Sequence, residues 1–460
     1  MDMKKDDDDG RQRTGTVWTA TTHAITAVVG SGVLALPWSV AQMGWIFGPL
    51  ALVIFAVITY YTALLLSDCY RSPDPVTGRR NYTYVGVVKA CLEKKDVVIC
   101  GICQYMMLWG TIVGYVIVAA TSMMAFKRSN CFHYKGHDAS CGTSGNTYML
   151  IFGGIEIILS QFPNLEKVTL LSMMAAAMSF TYSFIALYLC IQSFASHHKF
   201  RGTLTGVKAG VNGISQSTKV WHSFQALGNI AFAYTYAMLL VEIQDTLKSP
   251  PAENKTMKKA SLYGLGVTTL FYVSLGCMGY VAFGNNAPGN ILTGFYEPFW
   301  LVDIANLAVL IHLIGAFQVY AQPIFTSYEK WLASKWPSTI FFNKVYTVRL
   351  PFTEASFRFT ICKLVLRTLF CIITTAVAMA IPFFNAILGL LGSIAFWPLT
   401  VYFPVTMYIS QAKIKRGSNK WLALQSLSLI AFLVSLVSAI GSVADIVERL
   451  KHAKFFSVTF

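Results

Sequence analysis

The sequence predicts an all-α polytopic membrane protein of eleven transmembrane helices: a five-plus-five inverted repeat and one extra C-terminal helix. Three observations predict it. Of 460 residues, 55% are hydrophobic and 12% charged, a balance that belongs to a bilayer rather than to a soluble chain of this length. Eleven apolar stretches recur along the chain, each near the roughly 20 residues needed to cross a bilayer. Two of them, about 200 to 220 residues apart, carry a soft centre that favours leaving the helix, as in transporters built from inverted repeats.

The spans fall near 16–41, 44–69, 97–126, 147–161, 165–194, 221–247, 258–283, 298–328, 358–381, 384–410 and 419–445. Residues 1–14, beginning MDMKKDDDDGRQR, are expected to be a disordered cytosolic tail that enters the first span without the pattern of a cleavable signal peptide. The first span, TVWTATTHAITAVVGSGVLALPWSVAQ, is interrupted at Val29-Gly30-Ser31-Gly32, with Pro37 following. Glycine lets the backbone leave the helix cheaply, and an unwound turn at membrane depth is tolerated only where it lines a cavity. The fourth span is short and ends at Gln161-Phe162-Pro163-Asn164, so the fourth and fifth spans are expected to form a tight hairpin. The sixth, WHSFQALGNIAFAYTYAMLLVEIQDTL, repeats the first, with Asn229 and the weakly helical run Phe232 to Tyr236 at its centre. Repeat one is expected over about 15–195 and repeat two over about 220–410, inside a transporter domain spanning 15–445, with the extra helix at 419–445 and a short extracellular tail at 446–460.

Charge sets the orientation. With the N-terminus inside, 26 of the 36 Lys and Arg residues fall on the inner side and 10 outside. The formal net charge of +15 therefore reflects inner loops and not a nucleic-acid surface; membrane lipid is the expected neighbour. Of ten cysteines only Cys131 and Cys141 fall in an exterior loop, and they are expected to form a disulfide on the oxidising side. Cys100 and Cys103 form a C-x-x-C inside a span without partner ligands, which reads as packing. The sequons at Asn81 and Asn254 fall on the inner side and are not expected to be glycosylated.

No phosphate-binding loop, nucleophile elbow or zinc-spaced histidine pair is present, so no catalytic residue, metal site or cofactor is expected. Without an ATP-binding domain, uphill transport runs on an ion gradient.

The motifs DDDGRQRTGTVWTA, GSGVLALPW, CYRSPDPVTGRRNYTY, KRSNCFH, QALGNIAFAYTYAMLLVEIQDTLKSPP, CMGYVAFG, LVDIANLAVLIHLIGAFQVYAQP and LLGSIAFWPLTVYFPVTMYI together resemble the plant amino acid permeases of the amino acid/auxin permease group. That resemblance covers almost the whole chain. It implies a leucine-transporter-like fold and proton-coupled import of amino acids across the plasma membrane. Two departures touch the expected pocket: LALPW, with Ala35 and Pro37, replaces the family's LSLAW, and Thr235-Tyr236-Ala237 replaces its SYS.

An α-amino acid needs partners for its carboxylate and its ammonium and a wall for its side chain. Freed N–H groups around Gly30, Ser31 and Gly32 suit the carboxylate, and freed carbonyls near Val28 and Phe232 to Tyr234 suit the ammonium. Phe232, Tyr234 and Thr235 would line the wall, with Tyr115 of the third span as a gate. His23 and His312 lie on spans one and eight, which build a cation site in sodium-coupled relatives of the resembled fold, and are the candidates expected to carry the coupling proton. Glu242 is expected to be the buried acid of the sixth span, and Asp245 to pair with a lysine of the following loop; Glu156 and Asp303 read as structural. The expected protein is a monomeric proton-amino acid symporter working by alternating access. The alternatives are an influx carrier for an auxin-like indole carboxylate, a non-transporting amino acid sensor and a passive facilitator.

Overall fold

A computed structural model describes residues 13–142, 144–161, 169–210, 214–349 and 356–452. Helix dominates because backbone groups in hydrocarbon must find partners within their own segment. In order come α1 (Val17–Val28), a 3₁₀ turn (Ser31–Ala35), α2 (Leu36–Cys69), the short hairpin β1 (Arg71–Ser72) and β2 (Arg79–Arg80), α3 (Tyr84–Cys91), α4 (Lys94–Lys135), α5 (Gly145–Ser160) and α6 (Thr169–His197). Then follow α7 (Gln216–Ala233), α8 (Ala237–Asp245), α9 (Glu253–Phe283), α10 (Phe299–Lys335), α11 (Ile340–Asn343), the hairpin β3 (Tyr346–Arg349) and β4 (Ser356–Phe359), α12 (Ile361–Ala380) and α13 (Phe384–Ala395). A π-helical turn (Phe396–Tyr402), α14 (Phe403–Gln411) and α15 (Asn419–His452) complete the described chain.

Among the described residues nine helical stretches are long and apolar enough to cross a bilayer, and Gly145–Ser160 is apolar but shorter. Of the expected tails at 1–14 and 446–460, residues 1–12 and 453–460 lie outside the described residues, as does the Phe162-Pro163-Asn164 turn. α15 does not stop at the expected 445 but continues to His452. Its last turns are closed by the Lys451–Glu448 pair at 3.0 Å, a helix-compatible spacing. Cys131 and Cys141 are joined by a disulfide, whereas Cys100 and Cys103 are free thiols on α4. Both sequon asparagines use their amide nitrogens inside the fold, Asn81 on Tyr70 O and Asn254 on Asp68 Oδ1.

The chain divides into two compact units. One takes the residues through Met106 with His198–Ala287 and Leu388–Asp445; the other takes Met107–His197, Pro288–Ile387 and the chain from Ile446. In the first, α2 packs along α9 and α7, and α1 lies against α9 and α8. In the second, α10 packs along α6 while α5 pairs with α12.

α2 is itself broken. Gly44 has φ +79°, a left-handed conformation that frees the backbone around it. Residues 203–207 cross this point and replace the lost bonds: Trp45 N donates to Thr203 O, Ile46 N to Leu204 O, and Val207 N to Ala41 O. Lys219 Nζ in turn donates to the carbonyls of Thr205 and Val207. The approach is so close that a Cβ at Gly44 would lie 2.5 Å from Leu204 O. Gly44→Ala is expected to cost at least about 1–3 kcal/mol from the backbone strain alone, read as a lower melting temperature in detergent.

Candidate functional site

Two helix interruptions lie side by side in the first unit. α1 begins with a capping box, in which Thr19 N bonds Thr16 Oγ1 and Thr16 N bonds Thr19 Oγ1, and it ends at Val28. Val29 and Gly30 are extended, and the 3₁₀ turn restarts at Ser31. The leading N–H groups of a restarted helix have no acceptor within it, which leaves those of Ser31 and Gly32 available to a ligand. The second interruption separates α7 from α8 at Tyr234-Thr235-Tyr236. Here Thr235 Oγ1 donates to Ala231 O at 2.9 Å, and the Tyr236 hydroxyl bonds Ser261 Oγ at 2.6 Å.

One side chain joins the two. The Tyr272 hydroxyl, on α9, donates to Val28 O at 2.7 Å and lies 3.3 Å from Ala233 O. Each break thus gives up its last helical carbonyl to the same buried phenol. A carbonyl has two lone pairs, so Val28 O retains one for another donor. Gly32 faces Phe232 closely enough that a Cβ would sit 2.9 Å from the ring, whereas around Gly30 nothing lies within 4 Å of such an atom. Glycine at 32 is explained by packing; glycine at 30 is not. The Tyr234 ring stands 5.3 Å from that of Tyr272. Asn229, one turn before the second break, is fully buried, and neither of its amide atoms has a hydrogen-bond partner among the described residues.

The remaining candidates lie elsewhere. Tyr115 belongs to the second unit, where its ring meets Tyr320 edge-on at 5.6 Å. His23 is on the exposed face of α1. His312 is buried in the second unit, its Nδ1 2.8 Å from Ala175 O and its ring 5.7 Å from Tyr182. A carbonyl only accepts, so Nδ1 carries the proton of the neutral ring and Nε2 keeps a lone pair; that atom has no partner among the described residues. Glu156 is also buried there, accepting from Gln318 Nε2 at 2.6 Å.

Two expectations on α8 are corrected. Glu242, expected to be the buried acid, is on the exposed face. Asp245 pairs not with a lysine of the next loop but with Arg13, whose Nη2 donates to its Oδ1 at 2.9 Å, while the Tyr70 hydroxyl donates to the same oxygen at 2.7 Å. Three residues turn a helix by about 300°, so the two acids point about 60° apart and only Asp245 meets the chain before α1. The pairing is reinforced by the backbone: Gly15 N donates to Thr246 O and Lys248 N to Gly15 O. Nothing near Arg13 or Asp245 in sequence signals a partner more than 200 residues away. Tyr272 was equally silent, as one tyrosine among 22.

Membrane-length helices with two central breaks brought together are the architecture of a membrane transporter, and solved transporters share the fold. MhsT in complex with L-phenylalanine aligns over 94% of this chain and all of its own at TM-score 0.54 and 12% identity. Mhp1, a nucleobase-cation-symport-1 family transporter, aligns over 96% and 93% of the two chains at TM-score 0.55 and 12% identity. The chain belongs to the family described as transmembrane amino acid transporter protein, which it matches over residues 13–448. Amino acid permease 8 of Arabidopsis thaliana is 53% identical over 99% of this chain and 96% of its own length, and Amino acid permease 1 of the same plant is 53% identical over 98% and 94%. The protein is a multi-pass membrane transporter and not an enzyme.

Tyr272→Phe removes the donor shared by the two breaks and is expected to destabilise the protein by about 1–3 kcal/mol, the cost of leaving a buried acceptor unpaired. Gly32→Ala should cost about 1–3 kcal/mol through overpacking against Phe232. Gly30→Ala should leave stability within about 0.5 kcal/mol of wild type in the same melt.

Proposed function

We propose that this protein imports amino acids across the plasma membrane by proton symport and alternating access, with the substrate held at the two breaks. The observation that carries this reading is the shared phenol: Tyr272 holds two interrupted helices together at their free ends, beside an unfilled approach to Gly30. The substrate carboxylate would take the N–H groups of Ser31 and Gly32 at the positive end of the restarted helix. Its ammonium would take the second lone pair of Val28 O and the carbonyls of the α7 end near Phe232. Phe232, Tyr234 and Thr235 would line the side-chain wall. The amino acid permeases among the relatives favour an amino acid over an indole carboxylate, and so does a site with acceptors for an ammonium.

For the coupling proton the strongest support falls on His312, whose Nε2 is buried with a free lone pair; His23 is the second candidate and Glu242 the third. Counting the Gly44 break as a boundary and α5 as a span gives eleven spans, and broken helices that open each half of the chain support a five-plus-five inverted repeat. The Lys and Arg count supports an inner N-terminus and an outer C-terminus.

In oocytes clamped at a fixed potential, an amino acid panel should evoke an inward current without sodium that is larger at about pH 5.5 than at about pH 7.5, the window in which a histidine titrates. Surface-expressed protein without such current would refute electrogenic proton symport, and labelled uptake would then separate a facilitator from a sensor. His312→Ala should remove the pH dependence. Gly30→Ala should raise the substrate KM by about tenfold or more, as a methyl group placed where the carboxylate docks would cost above about 1.4 kcal/mol.

A further inference from the structure

Glu156, which reads as structural from the sequence, is completely buried on α5 in the second unit. Its Oε2 accepts from Gln318 Nε2 at 2.6 Å, and its Oε1 has no hydrogen-bond partner among the described residues. Gln318, on α10, is buried as well; its Nε2 lies 3.1 Å from Ser160 Oγ, and its Oε1 too has no partner among the described residues. Ser160 follows Glu156 by one helical turn on the same face of α5. Arg367 of α12 donates to Ser160 O at 2.7 Å and to Glu329 Oε1 at 2.8 Å, and Lys363, one turn earlier, lies 3.5 Å from Glu329 Oε2. Of the other ionisable groups on α10 and α12, Cys371 Sγ lies 3.6 Å from Ser160 Oγ, while His312 turns to Ala175 O, Tyr320 to Tyr115 and Asp303 to Asn130. The cations of this cluster are therefore set on Glu329, and Glu156 meets a neutral amide.

We propose that Glu156 is a second proton-binding site of the transport cycle, holding a proton in the conformation described and releasing it to the inner side when Arg367 turns from Glu329 to the carboxylate. The hydrogen-bond count carries the first half. As a carboxylate, Glu156 leaves two buried acceptors without a donor, its own Oε1 and Gln318 Oε1. One proton on Glu156 Oε1 answers both, because the O–H becomes a donor for Gln318 Oε1. That bond completes an acid–amide pair whose other half, Gln318 Nε2 to Glu156 Oε2, is already in place. A membrane-buried acid of this kind is a functional candidate by its cost alone.

Release follows from a change of partner. Arg367 already bonds the carbonyl of Ser160, so a carboxylate left by proton loss finds a cation within one helical turn, and Lys363 remains with Glu329. The step breaks only the Glu156 O–H bond: the proton leaves to water on the inner side, Arg367 and Lys363 keep theirs, and no electron is transferred. Exposure rises along this line, from 0% at Glu156 to 14% at the Glu329 side chain and 44% at that of Lys363. Glu329 lies eleven residues beyond Gln318, about three turns along the same face of α10. His312 precedes Gln318 by six residues and points about 120° away, so Glu156 is a site additional to it. The inference rests on proton symport and on the inner placement of this end of α10.

The test uses the full-length protein, purified in detergent for spectroscopy and expressed in oocytes for transport. At about pH 7.5, where an ordinary glutamate is ionised, the infrared spectrum should contain the C=O band of a protonated carboxylic acid, shifted in heavy water. That band should be lost in Glu156→Gln, whose amide copies the shape and both hydrogen bonds of the protonated acid, and should return in Glu156→Asp. In clamped oocytes given labelled amino acid, the charge carried per molecule taken up should fall by that of one proton in Glu156→Gln and be restored in Glu156→Asp. Absence of the band from the wild-type protein, a measurement that needs no variant, would overturn the proposal. An unchanged charge per amino acid in surface-expressed Glu156→Gln would overturn its part in the cycle. Wild-type uptake that carries no proton charge would instead refute the symport reading, and the infrared band would still decide whether Glu156 holds a proton.

Discussion

The hydroxyl of Tyr272, shared between Val28 O and Ala233 O, is the contact on which the first unit depends. A helix that stops inside a bilayer leaves carbonyls and N–H groups without water to receive them, at a cost of several kcal/mol for each. One phenol reaches the carbonyl end of both interruptions at once, so the two breaks share a cap. The N–H side is left differently. Ser31 and Gly32 begin a new turn whose first donors have no partner within it, so the carbonyl ends of the breaks are capped while the donor end of the restarted turn is not.

The same constraint is met elsewhere by other means. At Gly44 the lost bonds are replaced by the backbone of residues 203–207, which is possible only because glycine allows both the left-handed turn and the close approach. At the feet of α1 and α8 the backbone of Gly15 bonds on both sides to Thr246 and Lys248, with Arg13 and Asp245 neutralising each other above it. Glu253 is clasped by Arg71 and Arg80 at 2.7 and 3.1 Å. Glu253 and Asp245 are thus each set against guanidinium groups, which offsets the desolvation cost of a lone ion. The turn between β1 and β2 lies outside the membrane and is set more cheaply: the N–H groups of Thr77 and Val76 hold the exposed Asp74 carboxyl below its usual range.

The second unit stores its polar groups along α5, α10 and α12. Gln318 donates to Glu156 and to Ser160 Oγ, while Arg367 donates to Ser160 O and to Glu329. Glu156 therefore has an amide for its partner and Arg367 has Glu329, and Ser160 takes a bond from each of Gln318 and Arg367. His312 stands apart from both, bonded across to α6 through Ala175 O.

By itself the sequence determined what depends on local composition. Hydrophobic runs set the spans, because the bilayer demands a fixed length of apolar helix. Gly30-Ser31-Gly32 and the run Phe232 to Tyr236 located both breaks, since helix propensity is a property of the residues present, and the segregation of the lysines and arginines indicated an orientation. Cys131 and Cys141 could be paired because they alone shared a loop that the charge count assigned to the exterior. Only the tertiary structure decided which distant groups meet. Tyr272 reaches two breaks from a third helix, Arg13 finds Asp245 across more than 200 residues, and residues 203–207 repair α2 at Gly44. The exposure of Glu242 and the burial of Asp245's partner follow from helix rotation against a neighbour. Apolar periodicity cannot specify such choices, because in a bilayer lipid-facing and protein-facing surfaces are equally apolar.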